Sequence, residues 1–258
     1  MRRSAFALGC AVALSSVALT GCGASASAPV KKQDVKAERT EAARIHTELG
    51  QKYLQQGKTE TALEKLNKAL QFDPGYVDAH TVIAVLYESI NDLPKAEEHY
   101  RRAAQLKPKG GAENNNYGRF LCAQGRYDQA QEYFKKALAD PFYDTPALAM
   151  SNAGSCLLHA GKRDEAEKML RQALALSPND ATALYSLSAV LFDKGEFLNA
   201  RAFLQRFEAV ASAQPAALLL GRNIELRLGN AKGASEYSRR LLATFPQSPE
   251  ALSLGPQG

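Results

Sequence analysis

Tryptophan is absent from this chain, and after the first 21 residues there is no second long hydrophobic run. The second absence excludes a chain with several helical membrane crossings, because each crossing needs roughly 20 apolar residues. Histidine and cysteine are scarce, four of each, and none falls at a metal-binding cysteine–histidine spacing. The catalytic signatures His-Glu-x-x-His, Gly-x-Ser-x-Gly, Gly-x-x-x-x-Gly-Lys and the dinucleotide glycine pattern are all missing. Carboxylates are plentiful, but pairs such as Glu97-Glu98 and Asp164-Glu165 fall where outward, solvated helix faces are expected. No residue can be nominated for catalysis, so the chain reads as non-enzymatic, with no cofactor, no metal and no small-molecule substrate. Excess charge is small too: 32 Lys and Arg stand against 27 Asp and Glu. No basic stripe interleaved with aromatics occurs, which argues against nucleic acid as a partner.

What is present is a period. Ala62, Ala96, Ala130, Ala166, Ala200 and Ala234 are spaced by 34, 34, 36, 34 and 34 residues. A 34-residue period is the signature of the tetratricopeptide repeat, a helix–turn–helix unit that stacks into a solenoid. The fold class is therefore all-α, a right-handed superhelix of six such repeats: 43–76, 77–110, 111–144, 147–180, 181–214 and 215–248. With the spaced alanine at position 20 of each unit, small residues recur at 8 and 27, large apolar ones at 7, 11 and 24, and proline near 32. Small residues let neighbouring helices approach, and large ones fill the layer between them at helical intervals. Gly57, Gly125, Gly161, Gly195 and Gly229 share position 15, the turn between the paired helices. Thr145 and Pro146 interrupt the register by two residues. The sixth repeat is the weakest, with Glu225 and Ser238 at apolar positions, as expected of a terminal unit. His46 and His80 share position 4, a packing position, so a structural role outweighs ligation; His99 is expected on an exposed second helix and His159 near the concave face.

The N-terminus carries an address. Met1-Arg2-Arg3 precedes an apolar run from Ala5 to Leu19, and Leu19-Thr20-Gly21-Cys22 follows. A basic start and about 15 apolar residues make a secretory signal. The ending resembles a bacterial lipobox, which implies that residues 1–21 are removed and that Cys22 becomes a lipidated N-terminus. An ordinary signal cut elsewhere and an uncleaved anchor are the alternatives. Gly23 stands where inner-membrane retention often has aspartate, which favours the outer membrane, periplasmic face. Residues 22–42 read as the lipidated N-terminus and a small, polar, flexible tether, and residues 249–258 as a C-terminal tail.

Export bears on the two cysteines left in the repeats. Cys122 and Cys156 occupy positions 12 and 10 of adjacent first helices, and an oxidising compartment favours their pairing. Two buried thiols too far apart to bridge are the other reading. Positions 2, 5, 9, 12 and 13 of each first helix face the concave side of this fold. Asn115, Arg119, Ser151, Ser155, Tyr185 and Phe192 are therefore expected to line the groove, with Asn152 beside them. That mixture of hydrogen-bonding and apolar groups suits a peptide or strand; an ordinary solvated groove is the bland alternative.

One block stands out among the repeats: Asn114-Asn115-Asn116-Tyr117-Gly118-Arg119-Phe120-Leu121-Cys122, then Asp140-Pro141-Phe142-Tyr143-Asp144-Thr145-Pro146, then Asn152-Ala153-Gly154-Ser155-Cys156. Three consecutive asparagines are poor in a helix interior and suggest hydrogen-bonding work or a helix start. This block resembles the type IV pilus biogenesis/stability lipoproteins of the PilF/PilW family, with the pattern Asn-Asn-Tyr-Gly-x-Phe-Leu-Cys, a Pro-x-Tyr-x-x-Pro loop and Asn-x-Gly-x-Cys. The resemblance implies an outer-membrane pilotin that helps secretin subunits localise and multimerise, supporting pilus extension and twitching motility. A lipoprotein scaffold docking cell-wall hydrolases, or an accessory factor in outer-membrane protein assembly, is the alternative function.

Overall fold

The computed structural model describes residues 32–255. Cys22 and the residues read as a secretory signal, 1–21, lie outside the described residues. Among the described residues there are twelve long helices in six antiparallel pairs: α1 (Lys32–Gln55) with α2 (Thr59–Phe72), α3 (Val77–Ser89) with α4 (Leu93–Leu106), α5 (Gly111–Ala123) with α6 (Tyr127–Leu138), α7 (Pro146–His159) with α8 (Arg163–Leu176), α9 (Ala181–Asp193) with α10 (Phe197–Val210), and α11 (Pro215–Arg227) with α12 (Ala231–Thr244). A short α13 (Pro249–Leu252) follows. Each helix packs chiefly on its hairpin partner and on the next pair, with α7 stacked on α5 and α9 on α7. The result is the tetratricopeptide superhelix, with the first helices inside and the second helices outside.

The sequence period has a direct packing cause. Ala62, Ala96, Ala130, Ala166 and Ala200 are fully buried at the crossing of each pair. The small residue at position 8 is just as tightly constrained: a Cβ on Gly154 would sit 2.6 Å from Leu170 Cγ, and one on Gly118 3.0 Å from the Phe134 ring. The turn at position 15 demands a left-handed backbone, which glycine adopts without steric cost. It is met with φ near +73° at Gly57 and Gly125, and by Asn91 at φ 60° in the second repeat.

Three sequence expectations need correction. The tether assigned to residues 22–42 is helical from Lys32, because Arg39 Nε donates to the Phe72 carbonyl (2.8 Å) and Thr40 Oγ1 to Asp73 (3.0 Å), docking the helix start on the end of α2. The tail assigned to 249–258 contains α13, capped by Ser248, whose Ala251 is buried against Leu218 and Leu241. His99 is half-buried rather than exposed. Its Nδ1 lies 3.0 Å from His80 Nδ1, while His80 Nε2 donates to the Pro74 carbonyl at 3.1 Å. That second bond fixes the tautomer, so His99 donates and His80 accepts.

The histidine pair is expected to make the second repeat pH-sensitive. Burial holds both imidazoles below their ordinary 6.5; at His80 the Pro74 carbonyl opposes this and Arg102 adds to it, at His99 the neighbouring His80 adds to it, and Glu98 opposes it at both rings. Arg101 and Gln105 complete the wall of the small cleft, and the Tyr87 ring lies beside His99. As pH falls, the unfolded chain takes up these protons first. The pair's contribution is therefore complete above about pH 6.5 and is lost as pH falls through the depressed folded values. The urea midpoint is expected to drop between about pH 7.5 and 5.5, and less steeply in a His80→Phe/His99→Leu variant. Equal slopes in the two proteins would remove this assignment.

Candidate partner-binding groove

The concave wall is built from α3, α5, α7, α9 and α11, and its centre is the asparagine block. Glycine at 110 and 111 brings α5 in close: Gly111 N–H donates to Asp140 Oδ2 (2.8 Å), and a Cβ at 111 would fall 2.3 Å from Tyr143 Cγ. Asn114 caps this helix start from within, its Nδ2 donating to the Pro108 and Gly110 carbonyls at 3.1 and 2.7 Å. Asp140 also accepts from Phe142 N–H (3.0 Å), and these two backbone donors hold its carboxyl below the usual range. The two-residue register slip is thus a clamped loop. Tyr143 is tucked inward beneath it, and Phe142 is turned out with 88% of its surface exposed.

The seven groove residues expected from the sequence do not share one surface. Asn115 is only 2% exposed; its Oδ1 accepts from Asn152 Nδ2 at 3.0 Å, tying α5 to α7. Ser151 is fully buried and donates to the Ala147 carbonyl of its own helix (2.9 Å). Neither is available to a partner, because the first helices of repeats three and four pack closely enough to cover them. Arg119 is reachable but engaged. Its guanidinium donates to both Glu88 oxygens (3.0 and 2.6 Å) and lies 3.0 Å from the Tyr100 hydroxyl, which itself donates to Glu88 at 2.7 Å. Burial opposes ionisation of Glu88, but these donors win and hold its carboxyl below the ordinary range. Burial and the Glu88 carboxylate push the Tyr100 hydroxyl well above its own. Ser155 is half-buried on α7. Tyr185 rests on Phe207, and Phe192 on Phe197, with ring centroids 5.7 and 5.6 Å apart.

The structure brings Cys122 and Cys156 together as a disulfide between α5 and α7, with Cα atoms 5.8 Å apart. Cys122 then begins an apolar row at position 12 that continues through Leu158, Phe192 and Leu226 on successive first helices. Leu226 and Glu88 were missed as groove residues, although both sit at the same register position and the repeat count alone would have found them. Glu97, expected to be solvated, accepts from Tyr117 OH (3.0 Å) and Arg126 (2.6 Å) across a repeat boundary. Among the described residues no group of histidine, cysteine and carboxylate side chains could hold a metal ion, and no helix is long and apolar enough to cross a membrane.

A groove of fixed helices, with an apolar row on its floor and polar groups already engaged, defines a helical-repeat protein of the kind that mediates protein–protein interaction. Models of the tetratricopeptide repeat match residues 77–109, 112–179 and 157–217, and a further TPR repeat model matches 50–91. The type IV pilus assembly protein PilF of Pseudomonas aeruginosa is 31% identical over 239 residues, covering 93% of this chain and 94% of that protein. The crystal structure of PilW, described as a widely conserved type IV pilus biogenesis factor, superposes with a TM-score of 0.76 at 35% identity, covering 82% of this chain and 97% of that one. The structure of Pseudomonas aeruginosa PilF gives 0.75 at 29%, covering 84% and 98%. The chain therefore belongs to the PilF/PilW family of tetratricopeptide proteins of type IV pilus biogenesis.

Proposed function

We propose that this protein is a non-enzymatic outer-membrane lipoprotein, a pilotin, that binds type IV pilus secretin subunits and promotes their localisation and multimerisation. The observation that carries the reading is the likeness to PilF across nearly the full length of both chains, central block included. The physics suits the task. Acyl chains on Cys22 would hold the solenoid at one membrane, and a binder confined there raises the local concentration of the subunits it captures. The rigid groove meets its partner with little ordering cost, since its helices and its central ion pair are already in place.

The test is the amount and location of heat-resistant secretin multimers in fractionated membranes from wild type, a deletion strain and a Cys22→Ala strain. Deletion is expected to leave monomers, and the unlipidated variant to assemble rings in the wrong membrane. Unchanged multimers in all three strains would sink the proposal. Pulldown partners among cell-wall hydrolases would then favour the scaffold alternative.

A further inference from the structure

An alternating helical hairpin array has two edges. The turns within repeats lie along one, and the loops between repeats along the other. The start of α1 lies on the inter-repeat edge, since Arg39 and Thr40 bond to Phe72 and Asp73 at the first such loop. Only nine residues, 23–31, separate Cys22 from Lys32. Even fully extended they reach about 30 Å. In a chain anchored at Cys22 this edge therefore starts within about 30 Å of the membrane.

The edge is shaped for a charged surface. Positions 25 and 26 of every second helix carry at least one Lys or Arg: Lys68, Arg101 and Arg102, Lys135 and Lys136, Arg171, Arg206, then Arg239 and Arg240. They recur along the outer face beside the inter-repeat loops, with Lys135, Arg171, Arg239 and Arg240 paired to neighbouring carboxylates. Among the described residues Lys68, Arg101, Arg102, Lys109, Lys136 and Arg206 have no carboxylate partner. Several carboxylates of the same edge are turned inward as caps. Asp73 accepts from Thr40 and Gly75 N–H, Asp140 from Gly111 and Phe142 N–H, and Asp180 from Ala183 N–H. Asp144 is the exposed acid beside the third loop. Out of that loop projects Phe142, the most exposed large apolar side chain among the described residues, with the exposed Leu176 ending the next second helix. The Asp140 clamp means that Phe142 is presented rather than loosely displayed.

We propose that the inter-repeat edge is a membrane-apposed face that docks on anionic phospholipid, with Phe142 entering the interfacial layer and the basic row meeting the headgroups. Apolar side chains at the interface and cations near an anionic surface act together, and the second contribution is screened by salt. Docking would fix the solenoid's orientation and leave the concave groove and the opposite edge facing a partner. This orientation rests on the proposed lipidation of Cys22, so the test removes it: the chain from Gly23 onward lacks both Cys22 and the apolar run Ala5–Leu19, has no membrane anchor, and any vesicle binding is the edge's own.

The absence of native tryptophan makes the experiment clean. Phe142→Trp places a single indole on the loop, and Leu198→Trp places one at an exposed site (64%) on the opposite edge. With phosphatidylcholine vesicles containing phosphatidylglycerol, emission from the Phe142→Trp protein is expected to shift to the blue and to be quenched by brominated acyl chains. Emission from the Leu198→Trp protein is expected to stay unchanged. Adding Lys135→Gln and Lys136→Gln is expected to lower vesicle partitioning roughly tenfold. Pure phosphatidylcholine, or high salt, is expected to abolish the shift. No response from the indole on the loop, or an equal one from the indole on the opposite edge, would overturn the proposal. A loop response to purified secretin but not to vesicles would overturn it too, and would make the loop a protein contact.

Discussion

Replacing Cys122 and Cys156 together by serine is expected to destabilise the protein by about 3–4 kcal/mol, the largest effect available from two conservative changes. The two residues are 34 apart in sequence. The chain-entropy model for a closed loop of that size gives about this value, through the freedom the bridge removes from the unfolded chain. For a chain of this length the melting temperature is expected to fall by roughly 10 °C. The location adds a second signature. In a solenoid each repeat touches only its neighbours, so a staple between repeats three and four joins the two halves into one cooperative unit. Without it, urea unfolding is expected to broaden or to split into two steps. Reduction of the wild-type protein should reproduce the loss, which separates the bridge from any packing role of the sulfurs. A change below about 1 kcal/mol by either route would mean that the bridge contributes little, because the reduced unfolded state retains structure there.

A comparable loss, about 3–5 kcal/mol, is expected for Phe134→Ala. Phe134 is 1% exposed and lies across Gly118 at the closest approach of α5 and α6, beneath the asparagine block. Truncation leaves a ring-sized cavity between elements that cannot close on it, because Ala130 and Gly118 already hold the backbones at contact. Phe142→Ala is the internal control: the same chemical change at an exposed loop tip is expected to stay within about 0.5 kcal/mol. Equilibrium urea unfolding of the two variants gives the comparison directly. A cost at Phe134 below about 1.5 kcal/mol would show that the block tolerates repacking and does not rely on this ring.

Much of the fold was legible because repeat architecture writes local packing into a linear period. Ala62 through Ala234, the turn glycines and the two-residue slip at Thr145-Pro146 each report a contact between helices adjacent in sequence, so no long-range pairing had to be guessed. Cys122 and Cys156 were readable as a possible pair for the same reason: one repeat length separates them, and neighbouring first helices lie side by side.

The same register misplaced part of the groove. Position 5 points toward the concave side on an isolated helix, and on that ground Asn115 and Ser151 were expected at the surface. Whether such a position is open depends on how tightly the next repeat stacks. Between α5 and α7 the stacking is close enough to bury both, and the Asn115–Asn152 hydrogen bond belongs to the interior. The helical start at Lys32 escaped the sequence because its polar composition matches a linker; only docking on Phe72 and Asp73 orders it. His99 is an analogous case, drawn under by His80 from the facing helix. The amino-acid sequence by itself determined the repeat, its count, its turns and the family block, because these depend on contacts between neighbours along the chain. Which polar side chains remain free for a partner, and which edge carries the start of the chain, only the tertiary structure decided, because both depend on how closely and in what direction successive repeats pack.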